Sequence, residues 1–456
     1  MRYRVPLSCL VCLAAALVAP RTVEGEAFRI TSQSASATGQ ASAFAAQADD
    51  ASAVYYNPAG MTQLRRLQFS AGTDLVGGGF SFRSPSGATA HGDLSGAIAM
   101  PPPSNFYVSA RLKDFGMSKL EGWAVGLGIL SPFGQLTRYP DHGPFSSAVT
   151  SAALPLIDIK PTVAFRFNEH LSIGIGADIY TFSNVLGDGQ SEVKSTWPGG
   201  GGIPRGTPIE VNGKGTAPGF NVSLLYTPLL NADGKPLANI GIIYRSQATL
   251  HMNGEFRANG GLVADASTTL VLPQILTGAV AVWPVRDHFT EWKLEFDLDF
   301  AGWKSNRNLD VHLSNGSTLP FPQQWRNSFV AHFGTEYKWL QPPILPSWEV
   351  ALRGGYLFSQ TPVPDLTFNP AVPDADHHGI SIGLGATCKE GGWFFGLLPC
   401  QGIGFNNVRT QSIGIDVAYQ ALLYESRTVM GNQNPTVNGT YHSTLHVGAI
   451  NLRVNF

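Results

Sequence analysis

Residues 443–456 read Ser-Thr-Leu-His-Val-Gly-Ala-Ile-Asn-Leu-Arg-Val-Asn-Phe, and the chain ends there on an aromatic side chain. Side chains of a β-strand point alternately to two faces, so this stretch has one apolar and one polar face. The apolar face carries His446, Gly448, Ile450, Leu452, Val454 and Phe456, and the polar face carries Asn451, Arg453 and Asn455. In a transmembrane barrel the apolar face meets lipid and the polar face meets a watery lumen. The segment therefore predicts the closing strand of a membrane β-barrel.

The same alternation recurs along the chain. In residues 292–300 the odd positions carry Lys293, Glu295, Asp297 and Asp299, and the even positions are apolar. Four charges on one face of a strand suit a hydrated lumen better than a packed core. About fourteen such runs are predicted, an even number as in bacterial barrels: 67–82, 104–112, 122–130, 155–167, 171–183, 218–228, 240–252, 268–284, 292–304, 327–339, 347–360, 377–388, 412–424 and 441–456.

The fold class predicted from these runs is all-β, a transmembrane antiparallel β-barrel over residues 67–456. Residues 26–66 lack the alternation and are rich in Ser, Ala and Gln, so we expect an N-terminal hatch inside the lumen. Connections after odd-numbered strands are long and those after even-numbered strands are short, as expected of extracellular loops and periplasmic turns. The exception is 389–411, for which we expect a periplasmic hairpin or flap.

The first residues predict export. Arg2 and Arg4 precede a short apolar run, and small residues follow at Gly25 and Ala27, so residues 1–25 are read as a signal peptide. The run is too short to span a bilayer as a helix. An exported chain with barrel strands is expected in the bacterial outer membrane, where only helices or closed barrels satisfy the backbone in lipid.

Composition excludes some functions and leaves one pairing open. The formal net charge is −2 and charged residues make up 14%, which gives no nucleic-acid footprint. After signal removal Cys388 and Cys400 remain. Export favours a disulfide between them, with two free thiols as the alternative.

Two motifs resemble enzyme or metal sites. Residues 379–383 fit the G-x-S-x-G esterase pattern, but Ile380 and Ile382 alternate through a strand, whereas that chemistry needs a strand-to-helix turn. His442 and His446 would lie about 13 Å apart on a strand, too far for one metal ion. We therefore expect no catalytic residue, no metal site and no cofactor, and predict that the protein is not an enzyme.

Several short motifs resemble the long-chain fatty acid transporter family of outer-membrane barrels (FadL/TodX-like), which includes aromatic-hydrocarbon uptake proteins. The resemblance covers nearly the whole mature chain, and its specificity comes from the order and spacing of the motifs. They are Ala27-Phe28, Gly39-Gln40-Ala41, 48–51, Asn57-Pro58-Ala59-Gly60, 126–128, 131–134, 161–166, 353–356, 361–365 and 373–376.

The resemblance implies a fourteen-stranded barrel blocked by a hatch, with a hydrophobic ligand leaving sideways beside a kinked strand. Gly126 and Gly128, on the third strand, are the candidates for that kink, since Gly often marks a bulge. The alternative is that these glycines make room for the hatch. Asn57, Pro58, Ala59 and Gly60 would set the hatch against the wall.

Candidate ligand-binding residues follow from the same resemblance. Phe28 and Ile30 would touch the ligand tail, and Phe133, Leu136 and Tyr139 would form an outer apolar groove, with loop packing as the alternative. The basic candidates for a carboxylate are Arg166, Lys160 and Arg353. For Arg166 the alternative is pairing with a lumen acid such as Asp158 or Asp178.

The function implied is passive uptake of hydrophobic small molecules, with long-chain fatty acids first. Residues 309–311, Leu-Asp-Val, lack the basic residue of some fatty-acid transporters, which leaves monoaromatic or other neutral hydrocarbons as the alternative. A lipid hydrolase and an adhesive barrel rank lower. The expected partners are the ligand, outer-membrane lipid and lipopolysaccharide, and the barrel-assembly machinery through Phe456. A monomer is expected, with no nucleic acid.

Overall fold

Antiparallel strands make up most of the protein and close into a barrel. The computed structural model describes residues 26–184, 189–405 and 408–456, so the predicted signal peptide, residues 1–25, lies outside the described residues. The wall has 14 strands, each paired with its neighbours in sequence. The last strand pairs with the first from Gln68↔Asn455 to Arg83↔Thr440, which closes the ladder.

The wall strands are numbered here in chain order. They are β1 (Leu67–Arg83), β2 (Ser104–Arg111), β3 (Trp123–Leu130), β4 (Ser151–Arg166), β5 (Leu171–Phe182), β6 (Ala217–Leu230), β7 (Pro236–Arg245), β8 (Ile275–Arg286), β9 (Thr290–Ala301), β10 (Ser328–Trp339), β11 (Trp348–Ser359), β12 (His377–Cys388), β13 (Ser412–Tyr424) and β14 (Gly439–Asn455).

The predicted fold class is confirmed, and the alternation that predicted it is present in the wall. On β14 the side chain of Leu452 is 42% exposed on the lipid side, whereas that of its neighbour Asn451 is 1% exposed inside. The inner face differs from the prediction in one respect. It is filled by the hatch where Asn451 lies, and Asn451 Oδ1 accepts a hydrogen bond from the Ala35 N–H at 2.8 Å.

Two predicted strands, 240–252 and 268–284, were wrong in extent. Wall strand β7 ends at Arg245, and β8 begins at Ile275. Between them, Ala248–Ala258 and Gly261–Leu272 form a separate outer hairpin. The alternation continues through this hairpin because its two strands also have one packed and one open face. Period-two patterning cannot distinguish a wall strand from a hairpin that extends beyond it.

The connections have the predicted asymmetry. Those after β2, β4, β6, β8 and β10 are short, and those after odd-numbered strands are long and carry extra strands. We take the long side as extracellular. The extra strands there are Thr89–Ile98, Gly134–Arg138, Ser191–Thr196, Pro208–Gly213, the hairpin named above, Val311–Leu313, Thr318–Leu319 and Arg427–Val429.

The connection between β12 and β13, residues 389–411, is the long one on the periplasmic side. Trp393–Phe394 pairs with Leu398–Pro399, and Gly404–Phe405 pairs with Val408–Arg409. Cys388 and Cys400 form a disulfide across its base. We call residues 389–411 the periplasmic flap.

Residues 26–66 form the hatch and lie inside the barrel. Their regular structure is limited to α1 (Ala35–Thr38), α2 (Ala53–Tyr56) and the 3-10 turn Pro58–Gln63. In the part of the chain that the structure describes, no helix is long and apolar enough to cross a bilayer. The hatch starts at the outer end, where the Ala27 N–H donates to Asp374, and reaches the periplasmic end, where Asp49 pairs with Lys338.

Close approach of hatch and wall depends on glycines. Gly355 on β11 faces inward, and a Cβ there would lie 2.5 Å from the Ala41 nitrogen and 2.6 Å from the Gln40 carbonyl oxygen of the hatch. Its neighbour Gly354 faces lipid, and a Cβ there would meet nothing closer than 3.8 Å. A side chain is therefore tolerated at position 354 and excluded at position 355.

We predict that Gly355→Val loosens the hatch, because the added methyls overlap backbone that cannot rotate away. Such overpacking costs about 1–3 kcal/mol. Hydrogen–deuterium exchange of peptides from residues 26–66 should accelerate in this variant and remain unchanged in the matched Gly354→Val control. Equal exchange in the two variants would show that the hatch does not rest against β11.

Candidate functional site

The inner face of β9 binds the hatch through a row of charged side chains. Lys293, Glu295, Asp297 and Asp299 are only 1–4% exposed. Asp297 Oδ2 accepts hydrogen bonds from the Phe44 and Ala45 N–H groups at 3.0 Å each. The four charges were predicted to face a hydrated lumen, and that prediction is wrong at this position, because the hatch backbone replaces the water.

Two other members of this row also contact the hatch. Glu295 Oε1 accepts from the Ala46 N–H at 2.6 Å, and Lys293 Nζ donates to Glu295 at 2.7 Å and to the Ala43 carbonyl at 3.3 Å. These contacts matter because a segment with little helix has many backbone groups that its own structure leaves unpaired. The wall side chains bind these groups and fix the hatch.

The basic residues predicted to read a carboxylate lie elsewhere. Arg353 is buried between Glu336 at 2.7 Å and Asp416 at 2.6 Å. Lys160 is buried against Asp178, with Asp158 at 3.7 Å. Both cations are balanced by wall carboxylates and neither lines a cavity described below.

Arg166 is the clearest correction. It has the inward parity of Lys160, but it ends β4 at the periplasmic turn and is exposed. Its Nε donates to the Asn168 carbonyl at 3.0 Å. Alternation predicted the face correctly and could not predict the height along the barrel. The acids suggested as partners of Arg166, Asp158 and Asp178, pair with Lys160 instead.

The Asn57-Pro58-Ala59-Gly60 turn lies against the wall. Asn57 Nδ2 donates to the Ala45 carbonyl at 2.8 Å and to the Leu224 carbonyl of β6 at 3.2 Å. The Ala59 N–H donates to Ser223 Oγ at 2.9 Å. Pro58 and Ala59 pack over Gly174 of β5, and a Cβ on Gly60 would lie 2.5 Å from that of Ala48.

Gly126 and Gly128 do not mark a kink. Both lie in an unbroken ladder, since β3 pairs with β4 from Trp123 to Leu130. A Cβ on Gly126 would lie 2.6 Å from Met61 Sδ, and one on Gly128 would lie 3.2 Å from Val54. The glycines make room for the hatch, which was the stated alternative.

The third strand instead breaks at residues 131–133. Its ladder with β2 ends at the pair Phe106↔Ile129, and Gly134–Arg138 then pairs with residues 151–155 of β4. On the other side of Gly134–Arg138, the ladder within the described residues is the single pair Asp93↔Arg138. One edge of this segment is therefore largely free of wall partners.

The start of the hatch covers that edge. The Ile30 N–H donates to the Pro132 carbonyl at 2.9 Å, and the Gly134 N–H donates to the Phe28 carbonyl at 2.9 Å. The side chain of Gln33 donates to the Ser131 carbonyl at 2.9 Å. Residues 28–30 thus form a short antiparallel bridge with the broken strand, on its lumen side.

A cavity of about 570 Å³ adjoins this bridge. Its size lies within the range of about 300–1,000 Å³ that is usual for small-molecule sites. Of the residues predicted to contact ligand, Phe28, Ile30, Phe133 and Leu136 line it, and Tyr139 does not. Tyr139 packs on Phe145, and its hydroxyl donates to the Pro370 carbonyl at 3.1 Å. For Tyr139 the structure therefore agrees with the loop-packing alternative.

The cavity reaches the wall where β2 would continue outward. Residues 99–103 line one side and residues 133–136 the other. Pro101, Pro102 and Pro103 have no N–H to donate, so this stretch cannot extend the ladder. The run of prolines is a signal that the sequence analysis did not use.

Two carboxyl groups in the cavity lining have altered proton affinity. Burial raises the pKa of Glu26 to about 7, although the guanidinium of Arg29 lowers it. Burial also raises the pKa of Asp374 to about 6, against the effect of hydrogen bonds from Thr361 and the Ala27 N–H. Both carboxyl groups therefore bind a proton more readily than an exposed carboxyl group does. Alternation did not identify either residue.

Comparison with known proteins identifies the family. The family model described as outer membrane protein transport protein (OMPP1/FadL/TodX) matches residues 16–391. The chain belongs to this family. A long-chain fatty acid transport protein of Salmonella typhi is 27% identical over 387 residues, which cover 78% of this chain and 82% of the relative. That of Escherichia coli K12 is 26% identical over 398 residues, covering 78% and 83%.

Solved structures of OMPP1/FadL/TodX proteins have the same fold. A Pseudomonas aeruginosa FadL homologue superposes with a TM-score of 0.71 at 17% identity, covering 94% of this chain and 100% of the other. The Ralstonia pickettii toluene transporter TbuX gives a TM-score of 0.56 at 15% identity, covering 89% and 94%. The predicted family is thus confirmed, and with it an outer-membrane transport protein that is not an enzyme.

We predict that Arg353→Met destabilises the barrel without changing ligand affinity, because it removes the guanidinium between the buried carboxylates of Glu336 and Asp416, which keep only Lys338 and Arg453 as cationic partners. Because these partners remain, we expect a loss of stability smaller than the ~3–5 kcal/mol that follows when a buried charge is left without any partner. Urea unfolding should show this loss, whereas the exposed control Arg166→Met should stay within about 0.5 kcal/mol of wild type. Weaker fatty-acid binding at unchanged stability would instead place the Arg353 guanidinium in ligand binding.

Proposed function

We propose that this protein takes up hydrophobic small molecules passively through the 570 Å³ cavity. The observation that carries the proposal is the position of the cavity, which joins the outer loops to a stretch of wall without a complete ladder. An apolar solute crosses a hydrated surface layer poorly. A lined cavity offers it about 25 cal/mol for each Å² of apolar surface removed from water.

The proposed route leaves the barrel sideways. A solute that enters between the outer loops rests against Phe28, Ile30 and Leu136, and exits between residues 99–103 and 133–136. Residues 28–30 cover this path with two backbone hydrogen bonds to the broken strand. Each such bond contributes only about 0.5–1.5 kcal/mol net, and displacing the bridge also requires the buried ion pair between Arg29 and Asp299 to break or to move with it.

The substrate that we propose first is a long-chain fatty acid. Two relatives at 26–27% identity are named long-chain fatty acid transport proteins. Arg138 lies at the outer rim of the cavity and is exposed, so it can pair with a carboxylate while the alkyl chain lies inside. This assigns the carboxylate contact to a residue other than Arg166, Lys160 and Arg353.

Neutral hydrocarbons are the second candidate, and the pairing of two cations in the cavity lining, Arg29 and Lys194, favours them. Arg29, which lines the cavity, already contacts Glu26 at 2.9 Å and Asp299 at 2.6 Å. Lys194, also in the lining, contacts Glu192 at 2.6 Å. A neutral solute needs no counter-charge, and TbuX, a toluene transporter, shares the fold.

The remaining partners follow from the barrel itself. We propose that the apolar outer face contacts outer-membrane lipid and lipopolysaccharide, and that the C-terminal strand ending in Phe456 engages the barrel-assembly machinery. The Phe456 N–H donates to the Leu67 carbonyl at 2.9 Å, which joins the chain end to β1. Since β14 and β1 complete the ladder, we propose that a monomer suffices for transport.

We predict that Gly134→Trp slows fatty-acid uptake about tenfold, equal to ~1.4 kcal/mol, by filling the cavity beside the wall gap. A Cβ at Gly134 meets the end of the flexible Ile30 side chain at 2.9 Å, so the ring has room to settle. The control is Gly278→Trp on lipid-facing β8, where a Cβ meets open space. Uptake should be compared in cells with equal surface amounts, and unchanged uptake in Gly134→Trp would exclude this route.

We predict that Arg138→Gln weakens binding of a long-chain fatty acid about fivefold, since an exposed ion pair contributes up to ~1 kcal/mol. Binding of a neutral alkane should be unchanged. Arg83→Gln is the control, because Arg83 is exposed on the same side and does not line the cavity. Tight alkane binding, together with a fatty-acid affinity that Arg138→Gln leaves unchanged, would favour the hydrocarbon candidate.

A further inference from the structure

The periplasmic flap presents apolar side chains that the barrel does not cover. Leu397 is 79% exposed and Trp393 is 59% exposed, and Phe395 and Leu398 are exposed as well. Contiguous exposed apolar groups of this kind mark an interaction surface. We call residues 393–398 the flap tip.

The flap tip lies on the lipid side of the barrel. It packs on Trp348, whose ring centroid is 6.0 Å from that of Phe394 and 6.1 Å from that of Phe395. Trp348 begins β11 with the parity of Leu352 and Tyr356, which are exposed to lipid. The tip therefore extends the outer face of the wall and does not lie beneath the lumen.

The base of the flap has the same orientation. Cys388 ends β12 with the lipid-facing parity of Ile382 and Leu384, and its disulfide to Cys400 ties the flap to that side. The Lys389 N–H donates to the Ser347 carbonyl at 2.8 Å, and Lys389 Nζ contacts Glu349 at 2.6 Å. The charges at the base thus pair with the wall, and the tip carries apolar side chains.

Other side chains continue this apolar band around the periplasmic rim. In the turn between β10 and β11, Ile344 and Leu345 are exposed, and beyond them lie Trp339 and Phe289. Aromatic side chains at this level are typical of the membrane–water interface. The band and the flap tip therefore lie at the same end of the barrel.

We propose that the flap tip is an interfacial anchor that inserts Trp393, Phe395 and Leu397 into the inner leaflet of the outer membrane. Lipid is the occupant that continuity with the wall favours, since the tip packs on a side chain that already faces lipid. The disulfide and the ladder between Trp393–Phe394 and Leu398–Pro399 hold the tip in order before insertion. The anchor fixes the depth of the barrel at β11–β12 and is independent of what the cavity transports.

The test is fluorescence quenching of Trp393 in the full-length protein, reconstituted in phosphatidylcholine bilayers with and without brominated acyl chains. Subtracting the spectrum of Trp393→Phe isolates this residue. We expect emission shifted to shorter wavelength, about twofold quenching by bromolipid, and little quenching by aqueous iodide.

Two variants in the Trp393→Phe background calibrate the signal. Ile382→Trp reports a lipid-facing position in the wall, and Leu262→Trp reports the end of the outer hairpin, and both sites are exposed. Quenching of Trp393 like that at position 382 supports the anchor. Iodide quenching like that at position 262 overturns it, and so does protection from both quenchers, which would show that protein covers the tip.

Discussion

The structure depends on one constraint, which is that the hatch backbone must find hydrogen-bond partners inside a barrel. Buried N–H and C=O groups are almost always paired. The hatch has two four-residue helices, one 3-10 turn and further turns, which pair part of its backbone and leave other groups without a partner in the hatch. The wall supplies partners for several of these groups, since Asp297, Glu295 and Asn451 each accept a hydrogen bond from a hatch N–H.

That constraint explains why the inner face of β9 carries charged side chains that are buried. A carboxylate that loses water is costly unless it is paired, and here backbone N–H groups and Lys293 replace the water. It also explains the inward glycines, since side chains at Gly126 and Gly355 would occupy the space of Met61 and of the backbone at Gln40. Charged side chains on β9 and inward glycines on β3 and β11 are thus two ways in which the wall accommodates the hatch.

The sequence predicts the barrel well because its evidence is local. Alternation places Leu452 in lipid and Asn451 inside without reference to any other strand. Alternation fails where the position of a residue depends on a part of the chain outside its own strand. The outer hairpin between β7 and β8 alternates like wall, and the inward parity of Arg166 is real although the residue lies beyond the hatch at the periplasmic turn. The glycines at 126 and 128 likewise fit both a kink and room for the hatch, and only the positions of Met61 and Val54 distinguish the two.

The same limit applies to the free strand edge at residues 134–138. A strand edge without partners invites pairing, and proteins normally cover such edges. Three prolines at 101–103 end the ladder on one side, and the break at 131–133 turns the next strand away. The hatch then covers the edge with the bridge between Arg29 and Phe133. The segment that completes the wall is thus the one segment not built into it. Because residues 28–30 join the broken strand through two backbone hydrogen bonds, the ladder that closes the barrel between β14 and β1 does not depend on them.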